Sequence, residues 1–227
     1  LIYELVPEFG EKAVRPLLKL LLEEELYLVA TGAYLLGQLK ASEAVFPLIL
    51  LLRDKRDKVR VSACAALGQI GDSVATPFLI EALSDSFPPV RRRAALALGR
   101  LQSKQAIGPL IETMKDSNYS IAYSASRALA SIGGTELVDT LISILPESSG
   151  IFRYHIIGTL GEIKQDKALD KLISLLDSSS PLERAFVAEA LGNYRGNWRV
   201  ANSLKKNLND TSPLVRTMVK EALISLR

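Results

Sequence analysis

Few side chains in this sequence are equipped for covalent or acid–base chemistry. There is one histidine, His155, and one cysteine, Cys64. Together they cannot make a zinc site, which takes about four ligands. No glycine-rich phosphate loop, nucleophile elbow or Ser-His-Asp order is present. His155 is the single candidate for proton transfer, because imidazole titrates near neutrality. A lone histidine is more often a hydrogen-bonding surface residue, so no catalytic residue, metal or cofactor is expected. Cys64 stands between Ala63 and Ala65 and reads as a small packing residue. The arginines offer more. The stretch VRRRAALALGRL, from Val90 to Leu101, sets three side by side ahead of an apolar run.

Composition narrows what those arginines can meet. With 48% hydrophobic and 23% charged residues the chain is globular rather than disordered. A net charge of +3 means that any basic surface is local. The single cysteine leaves no intrachain disulfide and fits a reducing, cytoplasmic setting. The longest apolar run, Ala44 to Leu52, is too short to span a bilayer and contains Pro47, so no membrane association is expected. The sequence begins at Leu1 rather than Met, which reads as a piece of a longer chain.

The elements that position these groups recur. LLGQL around Gly37, ALGQI around Gly68, ALGRL around Gly99, ALASI around Ala130, TLGEI around Gly161 and ALGNY around Gly192 are spaced by 31 residues each time. A looser copy, ALISL, follows at Ile224. Each unit reads as two helices. Apolar pairs such as Leu48–Ile49 and Leu79–Ile80 mark the first. The second runs, for instance, from Lys58 to Ile70, with Val59, Ala63, Ala66, Leu67 and Ile70 on one face. Ser42, Ser73, Thr135, Asp166 and Asn197 are expected to cap first helices, and Asn118, Ser149, Ser180 and Ser212 second helices. Pro88, Pro181 and Pro213 fit the first helical position. Glycine inside the second helices lets neighbouring backbones approach. The expectation is one continuous array over 1–227: a capping segment 1–10, then repeats at roughly 11–40, 42–71, 73–102, 104–133, 135–164, 166–195 and 197–227.

The unit between Asp54 and Asp85, of pattern D…VR..A..ALG.IGD..A...LI..L.D, resembles HEAT-like repeats of the phycobilisome-lyase type, and nearly the whole chain shares the likeness. The resemblance implies an all-α, right-handed α-solenoid of about seven helical hairpins. First helices would line its convex side and second helices its concave side. It implies either of two functions, since such repeats serve as protein-binding adaptors and as bilin lyases that act on phycobiliproteins. Related HEAT-like DNA glycosylases and di-iron hydroxylases need groups that are absent here: a basic groove with a catalytic carboxylate, or several His-Glu pairs.

Within that frame the arginines divide. Arg91 shares its place with Arg60, Arg153, Arg184 and Arg216, and six residues earlier stand Asp54, Asp85, Glu147, Ser178 and Asp210. An acid in the turn and an arginine in the next helix predict a charge-assisted ladder that belongs to the fold. Repeat four lacks the arginine (Ala122) and the glycine (Ala130), so it is expected to be the weakest seam. Arg92, Arg93 and Arg100 lie off the buried stripe. The same offsets give Tyr123, Ser124 and Arg127, then Tyr154, His155 and Glu162, then Ala185, Phe186 and Glu189. The expected partner surface is Arg92, Arg93, Arg100, Tyr123, Arg127, Tyr154, His155 and Phe186, rich in the side chains that carry binding energy at protein interfaces. The same face suits a bilin, whose propionates arginines would clamp. Four arginines fall short of the roughly 6–10 phosphate contacts of a DNA binder, so nucleic acid is the remote alternative. Trp198, at an irregular junction, is expected to plug it.

Overall fold

The computed structural model describes residues 10–226, which form α-helices and short 3-10 turns, with no strand among them. Backbone contacts divide the chain into two compact units, Leu1–Ile132 and Gly133–Arg227. Among its described residues the first holds four helical hairpins: α1 (Val14–Leu20) with α2 (Leu26–Gln38), α3 (Val45–Leu51) with α4 (Asp57–Ile70), α5 (Thr76–Ala82) with α6 (Pro88–Leu101), and α7 (Ile107–Thr113) with α8 (Tyr119–Ile132). The second holds three: α9 (Thr135–Ile144) with α10 (Gly150–Ile163), α11 (Asp166–Leu175) with α12 (Pro181–Leu191), and α13 (Trp198–Lys206) with α14 (Pro213–Ser225). These are the expected 31-residue units, and each half of the chain is a solenoid of stacked hairpins. The expected capping segment, including the apolar Leu1, Ile2, Leu5 and Val6, lies outside the described residues apart from Gly10.

Leucines recurring at the repeat period build the core: Leu48, Leu79, Leu110, Leu141 and Leu172 of the first helices are fully buried. Val59, Val90 and Ile121 of the second helices meet them from the other side of the hairpin. Second helices also pack on one another, α2 on α4, α4 on α6 and α6 on α8 in the first unit, α10 on α12 and α12 on α14 in the second. The motif glycines make that contact close. A Cβ on Gly68 would sit 2.8 Å from Cα of Ala97, and one on Gly99 2.8 Å from Cα of Ala128.

The arginine ladder exists, but it is staggered by one repeat relative to the sequence expectation. Arg60 donates from Nε and Nη2 to Asp85 at 2.7 and 2.9 Å, while Nη1 reaches the carbonyl of Asp54 at 2.8 Å. Arg91 does the same with Asp116 and the carbonyl of Asp85, and Arg184 with Asp210 and the carbonyl of Ser178. Each arginine thus holds its own turn through a carbonyl and the next turn through a carboxylate. The carboxylate also accepts the backbone N–H two residues on, at Phe87, Asn118 and Ser212, 2.8 Å in each case. These turn aspartates take over much of the capping expected of other residues. Asn118, Ser180 and Asn197 cap as expected. Thr135 and Asp166 are instead the first helical residues after Gly134 and Gln165, and Asp72 rather than Ser73 accepts the N–H of Val74. Ser42 lies inside a 3-10 turn, and Ser149 and Ser212 occupy cap positions without a side-chain bond.

Two exceptions show how the ladder adapts. One repeat before Arg60 the equivalent position is Val29, and Asp54 pairs with Arg56 of its own turn at 2.7 Å. Ser178 stands where the acid for Arg153 would be. Glu183, from the first turn of α12, supplies the carboxylate to Arg153 at 2.8 Å and accepts the hydroxyl of Ser178 at 2.6 Å. Ala122 of α8, at the equivalent position, is buried. The chain divides into its two units eleven residues later, at Gly133, and Gly133 and Gly134 have φ values of +60° and +96°. We expect hydrogen exchange read by mass spectrometry to find the fastest-exchanging buried amides of the first unit in α7 and α8. Protection equal to that of α5 and α6 would count against the ladder as a source of stability.

The ladder also ties stability to acid. Hydrogen bonds from Arg56, Arg91 and Arg184 hold Asp54, Asp116 and Asp210 below the usual carboxylate range. Burial pushes Asp85 up, but its bonds from Arg60 and from the Phe87 N–H outweigh that and leave it lowered. All four therefore release protons more readily folded than unfolded. Their contribution is complete above the unfolded value near 3.9 and is lost as pH falls through the folded values. A urea midpoint measured from pH 6 down to pH 2 should drop below about pH 4. Asp85→Asn should start from a lower midpoint and drop less steeply.

Candidate functional site

Second helices interior to a unit, α4, α6 and α12, have a packed stripe, two flanks against their neighbours and a narrow open edge. On α6, Arg100 is exposed and Arg92 and Arg93 are half-buried. On the adjoining α8, Tyr123 and Arg127 are exposed. Tyr119, one turn before Tyr123, stacks on it with ring centroids 6.1 Å apart. Only Tyr123 of this pair was singled out from the sequence.

In the second unit the expected line is less open. His155 is 6% exposed, and burial pushes its pKa below the ordinary value of 6.5. Ser124 and Ala185, also expected outside, are buried as well. Ser124 and His155 share the register of Arg93, one turn before Ala97, the residue pressed against Gly68 of the preceding second helix. In α8 that register faces α6, where an arginine would be long enough to carry its charge to water but a serine is covered. Ala185 shares the register of Arg92. Phe186 of α12 obeys the same rule: it lies flat on Tyr154 of α10, centroids 4.4 Å apart and planes 14° off parallel. Tyr154 and Phe186 thus join two repeats, and His155 is not a surface acid or base.

Two further expectations resolve. Cys64 is fully buried and its thiol is pushed up to about 12 by burial, which suits a packing residue. Trp198 does not plug its junction: it is 71% exposed at the first position of α13. Tyr194, four residues earlier, is buried there instead, its hydroxyl 3.4 Å from the carbonyl of Leu160. Among the described residues no group of three or more His, Cys, Asp or Glu could hold a metal ion, and no helix is long and apolar enough to cross a membrane.

The sequence reading missed a groove in the first unit. It has a volume of about 530 Å³ and a mostly apolar lining from Tyr27 and Ala30 of α2, Lys58 and Val61 of α4, and Phe87 and Pro89 at the start of α6. Tyr27, Lys58 and Pro89 are one repeat apart, as are Ala30, Val61 and Arg92. The groove therefore occupies the row that continues to Arg92 and Tyr123. The 31-residue spacing of Tyr27 and Lys58 could have revealed it. A second hollow, about 460 Å³ and mainly polar, lies in the second unit, lined by Lys164, Glu189, Asn193, Arg195 and Glu221.

Comparison with known families places this architecture. The model of HEAT repeats matches residues 14–86, 76–151 and 138–224, nearly the whole chain. The chain belongs to the HEAT repeat family. Solved HEAT-type structures share its fold at low identity. The complex of CpcE and CpcF of phycocyanin lyase from Nostoc sp. PCC7120 is 21% identical over 94% of both chains, with a TM-score of 0.55. YibA of Escherichia coli is 22% identical over 98% of this chain and 84% of its own, with a TM-score of 0.58. The archaeal HEAT-like repeats protein from Thermococcus onnurineus NA1 is 18% identical over 94% and 96%, with a TM-score of 0.54. No curated protein matches the chain. In this HEAT repeat protein the ladder arginines Arg60, Arg91 and Arg184 are committed to the stack.

Proposed function

We propose that this HEAT repeat protein is a protein-binding scaffold whose partner rests on the open edge of the second helices. In the first unit Arg92, Arg93, Arg100, Tyr123 and Arg127 would form the contact. The observation that carries the reading is the juxtaposition, on one row, of a mostly apolar groove with arginines and a stacked tyrosine pair. Arginine and tyrosine supply most of the energy at interface centres, and an apolar hollow gains from being covered.

The alternative, a bilin lyase or chromophore-handling protein acting on a phycobiliprotein, draws on the likeness to the CpcE and CpcF complex, which at 21% identity speaks for fold alone. Of the residues it would use, His155 is buried and Tyr154 is stacked on Phe186. The scaffold reading needs neither. A nucleic-acid role would rest on four arginines and remains the remote choice.

The test is a pull-down from source-cell lysate with the wild-type chain and with Arg92→Glu/Arg127→Glu, read by mass spectrometry after circular dichroism has shown both folded. The scaffold reading expects a defined partner that the variant loses. Identical captures from both chains would sink it, and a coloured phycobiliprotein lost by the variant would favour the lyase.

A further inference from the structure

The geometry points to a partner segment that is both apolar and acidic, seated in the groove across α2, α4 and α6. This rests on the scaffold reading and adds the chemistry of what is bound. Among the described residues that line the groove Lys58 alone is charged, and it is exposed. The rest of the lining is dominated by Tyr27, Val61, Phe87 and Pro89, and Tyr27 is 65% open to solvent. An aromatic ring left that exposed beside a hollow favours a covering side chain.

Charge gives the partner its sign. An adjoining hollow shares Leu26, Lys58 and Phe87 with the groove and adds Lys55, Arg56, Asp57 and Arg60. Arg56 and Arg60 are already held by Asp54 and Asp85, and Asp57 with Glu24, which acts on Arg56, offsets Lys55 and Lys58 on that rim, so the excess positive charge stands beyond it. One repeat along the row stand Arg92 and Arg93. A basic or neutral segment would leave these cations uncompensated as the groove dries, whereas carboxylates flanking an apolar core would meet them. Second helices pack at about 8–10 Å, so crossing from α2 to α6 covers about 20 Å. That is roughly six residues of extended chain.

The experiment is a selection of random twelve-residue peptides displayed on phage, made on the whole chain. The strongest peptide is then measured by fluorescence anisotropy on wild type, Lys58→Glu, Tyr27→Ser and, as a control at an exposed site of α14, Lys220→Glu. All three substitutions are at exposed positions and leave the core intact. The expected result is enrichment of peptides with several Asp or Glu around two or more large apolar residues. Lys58→Glu and Tyr27→Ser should each weaken binding at least about tenfold, Lys220→Glu less than about twofold, and salt should weaken the wild-type complex. Enrichment of basic or uncharged peptides, acidic peptides indifferent to Lys58→Glu and Tyr27→Ser, or no enrichment at all would each overturn the inference. The scaffold reading would still stand or fall on its own pull-down, which probes Arg92 and Arg127.

Discussion

Asp85→Ala is expected to lower the unfolding free energy by about 3 kcal/mol and the melting temperature by about 6–12 °C. Asp85 does three things at once. It accepts two hydrogen bonds from Arg60, caps the Phe87 N–H, and so ties the turn before α6 to α4. The two side chains are 14% and 13% exposed, so the pair behaves as a mostly buried one. Removing one partner of such a pair costs about 3–5 kcal/mol, because the remaining charge has lost water and gained nothing. Arg60 keeps the carbonyl of Asp54, which argues for the low end.

The parts can be separated. Asp85→Asn retains an oxygen for the Phe87 N–H and should recover about 1 kcal/mol of the loss, the usual worth of a cap. Arg60→Ala/Asp85→Ala should cost less than the sum of its singles, since neither charge is stranded. Glu81→Ala is the contrast: its pair with Arg53 is 62% and 75% exposed, and its loss should change stability by less than about 1 kcal/mol. Urea midpoints for the five chains decide it. Equal losses for Asp85→Ala and Glu81→Ala would mean that the ladder is ordinary surface charge.

The ladder also shows where sequence reasoning reaches its limit. That an acid and an arginine recur together was legible, and so was the fold that they serve. Which acid meets which arginine was not, because in a 31-residue period the acid six residues before Arg60 and the acid 25 residues after it are the same position one repeat apart. Only the three-dimensional stagger distinguishes Asp54 from Asp85. Ser124 failed for a related reason. A helical wheel treats one helix against one core, whereas α6 and α8 also pack on each other, and side-chain length decides whether Arg93 or Ser124 reaches water. At the junction before α13 the sequence offered two aromatics, and Tyr194, which can place its hydroxyl on a carbonyl, took the buried site that Trp198 was expected to fill.

Two glycines of α10, one turn apart, should respond to alanine with opposite signs. A Cβ on Gly161 would fall 2.7 Å from Cβ of Ala190 and 2.9 Å from both its Cα and its carbonyl oxygen. Two of those atoms are backbone of α12, so relief requires the helices to part. Parting is opposed by Arg153 on Glu183 and by Tyr154 on Phe186, both of which bind α10 to α12. Overpacking of this kind costs about 1–3 kcal/mol. With backbone in the way the upper end applies, and about 1 kcal/mol of helix propensity is regained. Gly161→Ala should therefore destabilise by about 2 kcal/mol. Gly158 has no atom within 4 Å of its would-be Cβ, so Gly158→Ala keeps the propensity gain and should stabilise by up to about 1 kcal/mol. Urea midpoints of the two variants give the answer directly. If both substitutions stabilise, α10 and α12 are not in backbone contact, and the glycines of the 31-residue motif are not what sets the spacing of the second helices. If the signs differ, the recurring glycine is a spacing device, and it determines how closely the open edges of successive repeats stand together for a partner to bridge.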